Sequence, residues 1–238
     1  MAAIPPLSTR RESEKEMAKT VLAVFDLDGT LIDSRRDLAD SANEMLAAYG
    51  APALTEEDIA SMVGCGAVTL VKRVIGAAGV DAPLDEALSR FLSLYDRRLT
   101  RHTRPYDDIP RLLEDLRGRD MAVGLLTNKP LEQSVKILDA FGLSKYFQWV
   151  VGGDGPWPRK PAPDGMRFLM HQASAGPTET WLIGDSTVDL QTSRNAGVRI
   201  CLARYGFGYA DVPTADLTGD EALVDTPMEI AGVLRVRR

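Results

Sequence analysis

Five consecutive apolar residues, Val21-Leu22-Ala23-Val24-Phe25, run directly into two carboxylates one residue apart in Asp26-Leu27-Asp28-Gly29-Thr30. An unbroken apolar run of this kind suits a strand buried on both faces, as in parallel sheets, and Gly29 then ends it. The two aspartates therefore fall at the carboxyl end of a strand, where open α/β sheets bind their ligands. Residues two apart project to one side of a strand, so the carboxylates can converge. At ~4 Å and an effective dielectric of about 20, their repulsion is on the order of 4 kcal/mol. A divalent cation removes that cost, and an all-oxygen donor set suits Mg²⁺. The same pair equally fits an N-cap Asp followed by a turn Asp, so the rest of the chain has to decide.

Beyond this strand the pattern turns helical. Leu38, Ala42, Met45 and Leu46 recur at helix spacing up to Gly50. Thr55-Glu56-Glu57-Asp58 reads as a capping box opening a second helix. A third runs through Leu70, Val71, Val74 and Ile75, and a fourth spans Pro83 to Leu99. From Arg104 the pattern changes to alternating helix and strand. The strands are expected at Met121–Leu126, Phe147–Val151, Thr180–Gly184 and Val198–Ala203, with a late one at Leu223-Val224 before a helix at Met228–Leu234. This order reads as a helical insert in an α/β core. The expected division is a Rossmann-like parallel-sheet core from residues 20–33 and 104–238, an all-helical cap from 34–103, and a flexible tail over Met1–Lys19.

Bulk properties narrow the partners. A length of 238 residues allows one domain or a core with a smaller insert. A net charge of −6 leaves no footprint for nucleic acid or for an anionic membrane surface. No apolar run of about 18 residues suggests a membrane span. Cys65 and Cys201 are too few for a disulfide scaffold, so a reducing, cytoplasmic setting is the simplest expectation. The chain is expected as a monomer or homodimer.

The chemistry gathers at strand ends. Asp26 and Asp28, Thr127-Asn128, Lys160 in a nearby loop, and Asp185 with Asp189 each follow an expected strand. In a parallel sheet those ends share one rim. Carboxylates, a hydroxyl and amide pair, and one fixed cation suit phosphoryl transfer, which depends on positioning and on neutralising the equatorial oxygens. In order and spacing, Asp26-Leu27-Asp28-Gly29-Thr30, Thr127-Asn128, Lys160 and Gly184-Asp185-Ser186 with Asp189 resemble the four motifs of the haloacid dehalogenase superfamily.

That resemblance implies a Mg²⁺-dependent phosphatase forming an aspartyl-phosphate intermediate on a small phosphorylated metabolite. Carried over, Asp26 is the nucleophile and a metal ligand. Asp28 is the general acid and then the base, with its backbone carbonyl on the metal and a pKa raised relative to Asp26. Thr127 and Lys160 hold phosphoryl oxygens, Asn128 supports them, Asp185 ligates the metal, and Asp189 orients that shell or Lys160. Within the insert, Met62-Val63-Gly64-Cys65-Gly66-Ala67 and the stretch from Tyr95 through His102-Thr103-Arg104-Pro105-Tyr106 are similar to the cap of bacterial phosphoglycolate phosphatases. This similarity implies 2-phosphoglycolate as substrate and places Gly64, Cys65, Lys72 and Arg73 near it. Two departures stand out: Cys65 occupies the middle of a Gly-Asn-Gly loop, and Asp108 stands where a turn glycine is usual.

Blander readings compete at each position. Lys160 alone fits a solvated surface, Thr127-Asn128 an N-cap and turn, and Asp189 a helix cap. Lys72 and Arg73 fit a solvated helix face as well as a substrate carboxylate. His102 and His171 are expected to be structural or exposed, Cys201 a strand-core thiol, Trp157 packing for the Lys160 loop, and Trp181 core. Rival functions are another activity of the same superfamily (sugar-phosphate mutase, nucleotide or pyrophosphate phosphatase, phosphonate hydrolase), a phospho-Asp signalling receiver, and a binding protein without catalysis.

Overall fold

A computed structural model describes residues 22–235; the expected Met1–Lys19 tail lies outside the described residues. The chain runs β1 (Leu22–Phe25), β2 (Ile32–Asp33), α1 (Arg35–Ala47), α2 (Glu56–Ser61), α3 (Ala67–Ala77), α4 (Leu84–Asp96), β3 (Arg104–Pro105), α5 (Ile109–Arg117) and β4 (Ala122–Leu126). It continues through α6 (Leu131–Ala140), β5 (Trp149–Val151), α7 (Asp164–Ala173), β6 (Thr180–Gly184), α8 (Thr187–Ala196), β7 (Arg199–Ala203), β8 (Ala222–Val224) and α9 (Pro227–Val233).

Six strands form one sheet in the order β5-β4-β1-β6-β7-β8, and every pairing in it is parallel. β1 lies inside the sheet, with Phe25 opposite Leu125 on one side and Ile183 on the other. Its four residues are fully buried, and strand alternation divides them between two cores. Ala23 and Phe25 join the cluster that contains Leu112, Leu113 and Ile137 of α5 and α6. Leu22 and Val24 join Met166, Leu169 and Leu190 of α7 and α8 on the opposite face. A sheet covered on both faces accounts for the continuous apolar run. The spacing of the covering helices is as regular: Ile109, Leu112, Leu113 and Leu116 are the buried residues of α5.

The four helices α1–α4 intervene between β2 and β3, and their own apolar stripes, among them Leu38, Ile59, Val71 and Phe91, continue the first cluster. Thr55 caps α2, its hydroxyl accepting the Asp58 amide at 3.0 Å. The sequence pattern does not anticipate the short antiparallel ladder of β2 and β3, which pairs Ile32 with Pro105 and Asp33 with Arg104. A two-residue strand has no periodicity to detect. Asp37 reinforces the junction: its buried carboxylate accepts the backbone amides of His102 at 2.9 Å and Thr103 at 2.7 Å, and the Thr103 hydroxyl at 2.8 Å. Asp108 takes the left-handed conformation (φ 66°) in the turn before α5, the role a glycine would fill. Trp181, expected in the core, is only half-buried, with the Arg199 guanidinium 5.4 Å from its ring centre.

Candidate active site

The strand ends converge as the parallel topology requires. Asp26 follows β1, Thr127 follows β4, and Asp185 follows β6, and all three are buried. One carboxylate oxygen each from Asp26, Asp185 and Asp189 lies within 4.8 Å of the others. Lys160 reaches in from the loop before α7, its Nζ 2.6 Å from Asp189 Oδ1 and 2.9 Å from Asp26 Oδ1. Trp157 stacks on Phe168 of α7, with ring centres 5.2 Å apart, and so packs this loop as expected.

Local structure explains each placement. Asp189 is both a helix cap and part of the site. Its Oδ2 accepts the Ser186 amide at 3.1 Å and the Ser186 hydroxyl at 2.6 Å, closing a capping box at the start of α8, while its Oδ1 takes the Lys160 ammonium. Both oxygens are therefore engaged. Among the described residues Asp185 has a single hydrogen-bond donor, the Gly208 amide at 2.8 Å. It stands in space that two glycines leave open. A Cβ on Gly29, whose φ is +83°, would lie 1.9 Å from Asp185 Oδ2, and one on Gly206 would lie 2.2 Å from the Gly29 carbonyl and 2.4 Å from Asp185 Cβ. Gly206→Ala is accordingly expected to lower stability by about 1–3 kcal/mol through overpacking and to displace Asp185. Thermal unfolding and turnover would both register it, and wild-type values for the variant would show that this contact is not tight.

Electrostatically the site is unbalanced. Burial pushes Asp26 up to about 6, opposed by Lys160 and assisted by Asp189. Burial, with Asp189 and Asp26 beside it, holds Asp185 well above the usual carboxylate range. Burial works against the Lys160 charge, but Asp189 and Asp26 outweigh it and the ammonium is held firmly. Asp26 Oδ1, although an ion-pair neighbour of Lys160, has no aligned hydrogen bond. A buried carboxylate that faces one ammonium shared with Asp189, beside a second buried carboxylate, fits a hard divalent cation and its oxygen donor set.

Asp28 lies nearer the mouth. It accepts the Ser34 hydroxyl at 2.6 Å and, on both oxygens at 2.9 Å, the ammonium of Lys129. Lys129 is a site residue that the sequence reading misses. The signal is there, since it follows Thr127-Asn128 on the same rim. Asn128 holds two loops together, its Nδ2 donating to the Gly64 carbonyl at 2.8 Å and to the Lys160 carbonyl at 3.0 Å. The Thr127 hydroxyl accepts the Lys129 amide at 3.2 Å.

A cavity of about 440 Å³ lies between this rim and the helical block, with Asp26, Asp28, Thr127 and Asp185 on its floor. Gly64, Cys65 and Arg73 line the opposite side. Arg73 donates to the Met62 carbonyl at 3.0 Å and lies 3.8 Å from the Cys65 sulfur. Lys72 does not join them: it is exposed on α3 and lies outside the cavity lining, the solvated position that its helical phase also allowed. His171 is exposed, His102 is half-buried, and the Cys201 thiol is buried in β7 and pushed up to about 12 by burial. Among the described residues, no helix is long and apolar enough to cross a membrane.

Known proteins resemble this chain in sequence and fold. The haloacid dehalogenase-like hydrolase family matches residues 23–203. A Cupriavidus necator protein named phosphoglycolate phosphatase, plasmid, is 34% identical over 217 residues, covering 90% of this chain and 93% of its own. A phosphoglycolate phosphatase of Agrobacterium fabrum is 33% identical, covering 86% and 88% respectively. The crystal structure of a predicted phosphoglycolate phosphatase from Haemophilus somnus superposes with a TM-score of 0.85 at 28% identity, over 92% of this chain and all of that one.

Proposed function

This chain belongs to the haloacid dehalogenase-like hydrolase family, and from that premise we propose that it is a Mg²⁺-dependent phosphatase of a small phosphomonoester, 2-phosphoglycolate above others. The observation that carries the reading is the buried meeting of Asp26, Asp185 and Lys160 at the ends of β1 and β6 and the adjoining loop, with Asp28 two residues from Asp26. The names of the relatives support the substrate.

In this reading Asp26 attacks phosphorus through a carboxylate oxygen, and the ester bond breaks on the far side. Asp28 gives its proton to the departing alkoxide oxygen. It then takes a proton from water, which attacks the aspartyl-phosphate, releases phosphate and restores the Asp26 carboxylate. Lys160 and Thr127 hold the phosphoryl oxygens. Asn128 keeps the Lys160 loop and the Gly64 loop in register with them through the two hydrogen bonds of its amide. Asp189 keeps the ammonium in place. Asp26, Asp185 and the Asp28 backbone carbonyl would hold Mg²⁺, which when bound screens the nucleophile from the phosphoryl dianion. Residues 34–103 serve as a cap whose closure excludes water and selects substrate. The helical insert and family membership favour this reading over a signalling receiver.

The test is phosphate release from a panel of phosphate esters by the purified protein with Mg²⁺. Phosphoglycolate is expected to give the highest kcat/KM. Transfer of labelled phosphate into a second sugar phosphate, without free phosphate, would replace the hydrolase with a mutase.

A further inference from the structure

Lys129 and Tyr95 form a polar patch that the proposed chemistry does not use. Lys129 lies on the rim and Tyr95 on α4, and the two meet across the cavity with the ammonium 4.5 Å from the ring centre. Both are buried, Lys129 at 6% exposure and Tyr95 at 2%, and both line the cavity. An ammonium has three N–H donors. Two are directed at Asp28, and the third lies toward the Tyr95 hydroxyl. The Tyr95 hydroxyl faces that ammonium, its own proton has no acceptor among the described residues, and burial pushes its pKa up to about 12, so it keeps that proton. A buried donor without an acceptor is costly, and such groups in a cavity point to a ligand.

Position says which ligand. Asp28 must come within hydrogen-bond reach of the ester oxygen to protonate it, and Lys129 is bonded directly to Asp28. The Lys129 ammonium therefore lies within about 6 Å of that oxygen, twice a hydrogen-bond length, with the Tyr95 ring against it. A group one carbon away from the ester oxygen falls there. Resting on the phosphatase reading above, we infer that Lys129 and Tyr95 form the subsite for a carboxylate on the carbon next to the ester oxygen, and so set the preference for 2-phospho carboxylic acids over neutral alkyl phosphates. Of the two sequence candidates for this role, Lys72 lies outside the cavity lining and Arg73 donates to the Met62 carbonyl from an exposed position.

The experiment compares kcat/KM for phosphoglycolate with that for ethyl phosphate, which carries a methyl group in place of the carboxylate. The wild-type enzyme should prefer phosphoglycolate. Lys129→Met should lower that preference about 100-fold, chiefly through KM, as expected for loss of a charged hydrogen bond. Lys129→Arg should restore part of it. Tyr95→Phe, which keeps the ring over the ammonium, should lower it about 5- to 10-fold and covers the case in which Lys129→Met does not fold. Equal losses on both esters, leaving the ratio within two-fold, would overturn the subsite and make Lys129 a support for Asp28. A wild-type enzyme that hydrolyses both esters without preference would overturn the subsite and leave the phosphatase reading standing. One that hydrolyses neither would overturn both.

Discussion

Asp26→Asn is expected to cut phosphate release by about 10⁴-fold or more while leaving the fold intact. The amide has nearly the carboxylate's shape but no anionic oxygen to attack phosphorus. The variant should also be the more stable protein in EDTA at neutral pH. Burial raises the Asp26 pKa from 3.8 to about 6, so its ionised form costs the folded state roughly 3 kcal/mol at about 1.4 kcal/mol per unit. The sign comes from linkage: an acid with a raised folded-state pKa favours the fold below about pH 4, and that contribution is lost as pH rises through about 6. The gain in Tm from Asp26→Asn should therefore be small at pH 4.5 and reach several degrees at pH 7. Lys160 keeps Asp189 as a partner in the variant, so no buried cation is stranded. Undiminished phosphate release by the variant would remove Asp26 from the chemistry, and a Tm gain independent of pH would contradict its buried, raised carboxyl.

Removal of divalent metal should be as severe. EDTA is expected to abolish turnover and added Mg²⁺ to restore it, and the same titration should raise Tm without any substrate present. Ligand at 100 times its Kd contributes about 2.7 kcal/mol to the folded state. Asp26 and Asp185 carry raised pKa values, so protons compete with the cation and the thermal shift should shrink as pH falls below about 6. Asp185→Asn should weaken the shift at neutral pH, because Asp185 has one donor besides whatever the cavity holds. Hydrolysis that persists in EDTA, or a Tm indifferent to Mg²⁺, would end the metal assignment.

The acidic rim is legible in the sequence because each of its members announces itself at the end of an apolar run. Once the strands are parallel, Asp26, Thr127 and Asp185 have nowhere else to meet. Asp189 shows that a bland and a functional reading need not exclude one another, since one carboxylate caps α8 and anchors Lys160. The hidden part depends on depth. Spacing along the chain does not say that Asp26 lies deeper than Asp28, nor that of two neighbouring basic residues on α3 only Arg73 borders the cavity. Lys129 escapes notice because a lysine beside a helix start reads as solvated, whereas here the Tyr95 ring of α4 and Asp28 lie against its ammonium. Gly206 carries no local signal either, since its constraint is a carboxylate from a distant strand.

The two-residue ladder of β2 and β3 joins the outgoing and returning crossovers at a single point. If the helices lift to admit a substrate, they must pivot there, and displacement grows with distance from that pivot. Ser34 adjoins the pivot, so its hydroxyl can stay with Asp28 throughout the swing. The Gly64 loop and Tyr95, farther out on the lever, would part from Asn128 and Lys129. In such a swing the Ser34–Asp28 hydrogen bond would persist while the contacts of the Gly64 loop and Tyr95 open and close above it.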